Sequence, residues 1–91
     1  MDLSQLRKKI DKLDDEIIIL LEERAKLVEE VIKYKESHAI PTADFSREDF
    51  IIEKIDSQIT SKYKDNIISN YLDIMKNSRH FQDKLRGNDF E

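Results

Sequence analysis

The chain has 91 residues, 40% of them charged, with 16 Lys and Arg against 20 Asp and Glu, a net charge of -4 and no cysteine. That balance offers no basic field for nucleic acid or an anionic membrane, and the missing cysteines exclude disulfides, thiolate chemistry and cysteine zinc sites. The longest apolar run, Ile17 to Leu21, is far too short to span a bilayer, and the N-terminus lacks the apolar core of a signal peptide, so a cytoplasmic protein is expected.

At this length one small domain, residues 1–91, is expected, with a modest core that a second copy would complete. With one Gly and one Pro, nearly everything reads as helix. Leu3, Leu6, Ile10, Leu13, Ile17, Leu20, Arg24, Leu27, Val31 and Tyr34 alternate spacings of 3 and 4, which predicts a long first helix over about 4–36 with Ser4 as N-cap. Arg24 is the misfit in that stripe. A guanidinium there loses hydration unless an anion or a polar network meets it. The alternative is a register device in a helix seam, with the side chain reaching out to water.

Pro41 marks a loop over about 37–45, because it lacks a backbone donor and disfavours helix in the residue before it. The second helix is predicted over about 46–60, with Ser46 as N-cap, Glu48 and Asp49 in the first turn, and Phe50, Ile51, Ile55 and Ile59 as its apolar face. A short polar connection leads to a third helix over about 64–86. Its stripe reads Ile68, Tyr71, Met75, Ser78, Gln82, Leu85, so Ser78 and Gln82 stand where apolar side chains are called for. Gly87 to Glu91 reads as a frayed tail. His38 and His80 have no partner at ligand spacing, both read as exposed, and no metal site is expected.

Arg24 and Lys35 are eleven residues apart, within about 20° of one face and about 16 Å along an ideal helix, so their long side chains can bracket a small anion. Arg7 lies about 25 Å before Arg24 on the same helix and reaches such a ligand only from another chain. If two first helices pair antiparallel and cross near Ile18, Arg7 of one copy falls between Arg24 and Lys35 of the other. Two-fold symmetry then creates two equivalent sites.

Leu6-Arg7-x-x-Ile10-x-x-Leu13-Asp14, the Glu23-Arg24 pair, Lys35, the Pro41-x-x-Asp44-x-x-Arg47-Glu48 segment and the late Ser78-x-x-x-Gln82 together resemble the all-helical family of chorismate mutases, from Leu6 to about Leu85. The resemblance implies an all-α fold: three helices per chain in an intertwined antiparallel six-helix homodimer. It implies the conversion of chorismate to prephenate, the committing rearrangement toward phenylalanine and tyrosine. By match to the family motif, the partner's Arg7 and Arg24 would hold the two carboxylates of the substrate, and Lys35 and Gln82 would donate to its ether oxygen. Asp44 and Glu48 would surround the ring hydroxyl, with Glu48 accepting its proton, and Arg47 and Ser78 would complete the polar wall.

The chemistry suits these residues. The rearrangement is intramolecular and pericyclic, so no nucleophile, metal or cofactor is called for, and the catalyst has to restrict a flexible dianion and stabilise charge growing on one oxygen. Two planar guanidinium forks pair with two carboxylates, whereas a lysine aims a compact charge at one atom. Taken singly, Arg7 reads as a surface charge, Lys35 and Glu48 as dipole-favoured helix-end charges, and Ser78 as bonded back to its own helix. Two other functions stay open: an isochorismate-pyruvate lyase of the same fold, disfavoured by Glu48, and a non-enzymatic helical dimerisation module. Nothing after Leu85 suggests a second domain, and no direct feedback by phenylalanine or tyrosine is expected.

Overall fold

The computed structural model describes residues 1–87. The tail expected after Gly87 lies outside the described residues. Three helices account for the fold: α1 over Leu3–Ser37, α2 over Phe45–Gln58 and α3 over Lys64–Leu85. α3 packs against both α1 and α2, whereas α1 and α2 do not touch closely and leave a cleft between them. No strand occurs among the described residues.

Two N-caps differ from the sequence reading. α1 starts earlier than Ser4 because Asp2 caps it: its Oδ1 accepts from Gln5 N at 2.8 Å, and Gln5 Oε1 accepts from Asp2 N at 3.0 Å, a reciprocal capping box. α2 is capped by Asp44 rather than Ser46, with Asp44 Oδ1 accepting from Arg47 N at 3.0 Å. In both places a carboxylate stands two residues upstream of the serine, and its charge suits the positive end of the helix.

At its other end α1 closes with the six-to-one bond Ile40 N to Lys35 O, 2.8 Å, and a longer Ala39 N to Glu36 O contact, 3.4 Å. This is a Schellman turn, which needs a left-handed residue after the cap. Ala39 supplies it at φ 54°, where glycine is the usual occupant. The loop is then strapped to α3. Arg86 Nη1 donates to Ile40 O at 2.9 Å and to Thr42 Oγ1 at 3.2 Å.

The core of the single chain is small: among the described residues, Ile32 and Met75 are the buried apolar ones, each 3% exposed. α1 carries two apolar stripes. Leu21, Ala25, Val28 and Ile32 form the one that turns toward α3, and three of these are half-buried or buried. The longer stripe, Leu3 through Tyr34, is exposed along its length, with Leu20 at 61% and Leu27 at 68%. At 100° per residue the two stripes lie about 100° apart, and Arg24, half-buried, sits on the border between them rather than inside a buried seam.

Shape agrees with this division. α1 alone is about 52 Å long at 1.5 Å per residue, and it sets the long axis of a chain measuring 53 × 26 × 25 Å. The radius of gyration is 16.3 Å, against about 12 Å for a compact domain of this length. The N-terminal half of α1 projects beyond the other two helices, with all residues before Arg24 exposed.

On α2 the half-buried face is Ile51, Ile52 and Ile55, continued by Ile59 at the C-cap. Phe50, assigned to that face from sequence, is 55% exposed instead, because one residue back from Ile51 is a rotation of about 100° away from it. The guanidinium of Arg47 lies 5.3 Å from its ring centroid. On α3, Leu85 is likewise exposed, at the end of the helix, and the inward line ends at Gln82.

Candidate functional site

Between α1, α2 and α3 lies a cavity of about 410 Å³, within the range of small-molecule sites. Its walls carry Arg24 and Lys35 from α1, Asp44 from the loop, Arg47 and Glu48 from α2, and Ser78 and Gln82 from α3. Seven of the eight residues singled out from sequence therefore line one cavity. Arg7 does not; it is exposed on the projecting half of α1. Leu27, Val28, Val31, Ile51 and Met75 supply apolar wall.

The helices dictate this convergence. Arg24, Val28, Val31 and Lys35 follow one another at helical spacing, so the polar pair brackets an apolar floor. Met75, Ser78 and Gln82 do the same on α3, with Met75 sealing the interior below the two polar groups. Gln82 is 9% exposed, the one buried polar residue among the described residues.

A buried amide needs partners, and Gln82 has them. Lys35 Nζ donates to Gln82 Oε1 at 3.3 Å and to Thr42 O at 2.8 Å, while Gln82 Nε2 donates to Ser78 Oγ at 3.2 Å. An ammonium group can only donate, which fixes the amide with its oxygen toward Lys35 and its NH2 toward Ser78. Nε2 carries two hydrogens, and Lys35 Nζ three. Each group so retains a donor beyond the bonds it makes within the protein.

Charge in the cavity is mixed. Three cations, Arg24, Lys35 and Arg47, face two carboxylates, Asp44 and Glu48. Asp44 spends one oxygen on the α2 cap, and Glu48 accepts through Oε1 from Arg79 Nη1. Each carboxylate keeps its second oxygen. The lining can therefore offer cationic donors to a small anion and carboxylate acceptors to a hydroxyl within one cavity.

Three contributors went unremarked in the sequence: Thr42, whose carbonyl holds Lys35; Arg86, which fastens the loop; and Arg79, which pairs with Glu48. No local pattern points to them. Arg79 and Glu48 are 31 positions apart and meet only through the packing of α2 on α3. His38 and His80 are exposed; His38 stacks on Tyr34 with ring centroids 4.0 Å apart, and its Nδ1 lies 2.8 Å from Tyr34 O. Among the described residues no cluster of His, Cys, Asp or Glu has the makings of a metal site, and no helix is long and apolar enough to cross a membrane.

Comparison with known proteins bears on this geometry. The family model described as chorismate mutase type II matches residues 6–83. A chorismate mutase of Methanocaldococcus jannaschii is 40% identical over 53 residues, which cover 58% of this chain and 54% of that protein. A bifunctional chorismate mutase/prephenate dehydratase of Aquifex aeolicus is 44% identical over 54 residues, 59% of this chain and 15% of that protein. The chain thus spans about half the length of the first relative and a small part of the second. No solved structure matches.

Proposed function

The chain belongs to the chorismate mutase type II family, and on that premise we propose that it catalyses the rearrangement of chorismate to prephenate in the aromatic amino acid pathway, acting in the cytoplasm as a homodimer. The observation that carries the reading is the convergence of Arg24, Lys35 and Gln82 on one cavity of small-molecule size.

In the reaction the ether C–O bond breaks as a C–C bond forms within one molecule. The electron pairs move in a ring, and nothing is transferred to or from the protein. Negative charge grows on the ether oxygen, and donors already in place stabilise it without reorganising. Lys35 and Gln82 fill that role. Lys35 is anchored by the Thr42 carbonyl and the Gln82 amide is oriented by Lys35, which leaves each group a hydrogen not used in those bonds for the ether oxygen. Arg24 takes one substrate carboxylate and the partner's Arg7 the other, holding the flexible substrate in its reactive chair-like form. Asp44 and Glu48 meet the ring hydroxyl with their remaining oxygens, and Arg47 and Ser78 close the polar wall.

The dimer follows from the same residues. The long stripe of α1 is uncovered in the single chain, and contiguous apolar surface of that extent calls for a protein partner. Two α1 helices packed antiparallel cover each other's stripes and carry each Arg7 toward the other cavity. Six helices then enclose two equivalent sites.

The test is direct. Purified protein incubated with chorismate should consume it, with prephenate as the identified product, and should leave isochorismate essentially untouched. Release of pyruvate from isochorismate at a higher rate would favour the lyase, and inertness toward both would reduce the chain to a dimerisation module.

A further inference from the structure

Glu48 sets a problem for a site that binds a dianion. It contributes a carboxylate to the wall of the cavity, within the small volume that the two carboxylates of the proposed substrate would share. A carboxylate is a strong acceptor for a hydroxyl, yet left unpaired it repels the ligand it is meant to recognise. The structure answers with Arg79. Its guanidinium Nη1 donates to Glu48 Oε1, and the pair is mostly withdrawn from water, with side-chain exposures of 29% for Arg79 and 20% for Glu48.

Arg79 itself does not line the main cavity. It faces a second cavity, of about 290 Å³, on the other side, with Pro41, Thr42 and Asp83 among its walls. The ion pair is thus a partition: Glu48 looks into one space and Arg79 backs it from the other. A second contact fixes the guanidinium, whose carbon lies 5.6 Å from the ring centroid of Phe45, at the start of α2. Arg79 follows Ser78 directly on α3, so the helix that brings one polar residue to the cavity also brings the cation that backs its acidic wall.

We propose that Arg79 is a positioning residue for the proposed mutase reaction: it cancels the charge of Glu48 toward the dianionic substrate and turns its free oxygen, Oε2, to the ring hydroxyl. The inference rests on the chorismate reading of the site. Arg79 acts through Glu48 and touches no substrate. Because the ring hydroxyl is not one of the reacting bonds, its recognition acts alike on the bound substrate and the transition state, so its loss appears in KM rather than kcat.

Kinetics with chorismate on five proteins test this: wild type, Arg79→Met, Arg79→Lys, Glu48→Gln, and Glu48→Gln combined with Arg79→Met, with thermal unfolding of each followed in parallel. Arg79→Met should raise KM about tenfold to a hundredfold, the range for hydrogen bonds to charged groups, with kcat changed far less. Arg79→Lys should recover part of the loss, since it keeps the charge without the planar fork. In the Glu48→Gln background the amide carries no charge to cancel, and adding Arg79→Met should change KM less than twofold. A KM unchanged in Arg79→Met overturns the proposal. So does an equal loss in both backgrounds, or a loss of kcat that tracks falling melting temperature, since either marks Arg79 as a packing residue. A wild type that turns over no chorismate defeats the functional reading itself, and this inference with it, which separates that failure from the others.

Discussion

Replacing Gln82 by Glu changes one atom type at the centre of the polar network and reverses its chemistry. The side chain is 9% exposed and sits 3.3 Å from Lys35 Nζ and 3.2 Å from Ser78 Oγ. Its Nε2 is the donor proposed for the ether oxygen. An ionised carboxylate there has no hydrogen to give, repels the growing charge, and engages Lys35 as an ion pair, blunting the second donor. Loss of one such donor costs roughly a hundredfold to a thousandfold in rate, and with Lys35 compromised the upper part of that range is expected at neutral pH. The protonated acid, by contrast, carries one O–H that can serve. Activity of Gln82→Glu should therefore rise as pH falls. Burial moves the midpoint above the unperturbed glutamate value of about 4.3, and the neighbouring Lys35 moves it down. The commitment is the direction: kcat/KM for chorismate measured from pH 8 to pH 5 climbs in the variant while the wild-type profile stays nearly flat. Equal activity of the variant at pH 5 and pH 8 would refute the assignment of Gln82 to the ether oxygen.

Three further substitutions probe other parts of the account. Arg24→Leu should lower chorismate turnover a hundredfold or more with little loss of stability, since Arg24 is half-buried at the border of two stripes; kinetics and thermal unfolding on the same sample decide, and unchanged turnover with a raised melting temperature would make Arg24 a register device. Ile17→Glu, in the middle of the uncovered α1 stripe, should abolish the dimer in sedimentation, because it removes about 1.5–3 kcal/mol of burial per chain and sets like charges near the crossing point; an intact dimer would place the interface elsewhere. Ala39→Gly relieves a left-handed residue at φ 54° and should stabilise the chain by about 0.5–1 kcal/mol, a few degrees in melting temperature, once the greater freedom of glycine in the unfolded state is counted.

Helix number and order were legible because the apolar spacing is long and uninterrupted and because Pro41 is the one break of its kind. The caps differ for a physical reason: Ser4 and Ser46 are good caps, but Asp2 and Asp44 stand two residues earlier, and in both places the earlier carboxylate accepts from a free backbone N–H of the first turn and takes the helix. Asp44 is consequently both a cap and a cavity residue, which spacing alone does not disclose. The single stripe read on α1 is two stripes in space, because a 35-residue helix passes one face along its own α3 and leaves another uncovered. Arg24, Lys35, Ser78 and Gln82 stood out as polar groups in apolar rows. Arg79 and Arg86 did not, since an arginine on the polar side of a helix or at its C-cap violates no pattern, and their partners lie 31 or more positions away.

The central claim is that two chains jointly build a site that rearranges chorismate, and one measurement meets it most directly. Arg7→Ala and Lys35→Ala chains, each nearly inactive as a homodimer, are mixed, unfolded and refolded together. In a mixed dimer one of the two sites regains both an intact Arg7 and an intact Lys35. With random pairing and independent sites, prephenate formation should return to about a quarter of the wild-type rate. No recovery, in a preparation where mixed dimers are demonstrated, would contradict a site shared across the interface.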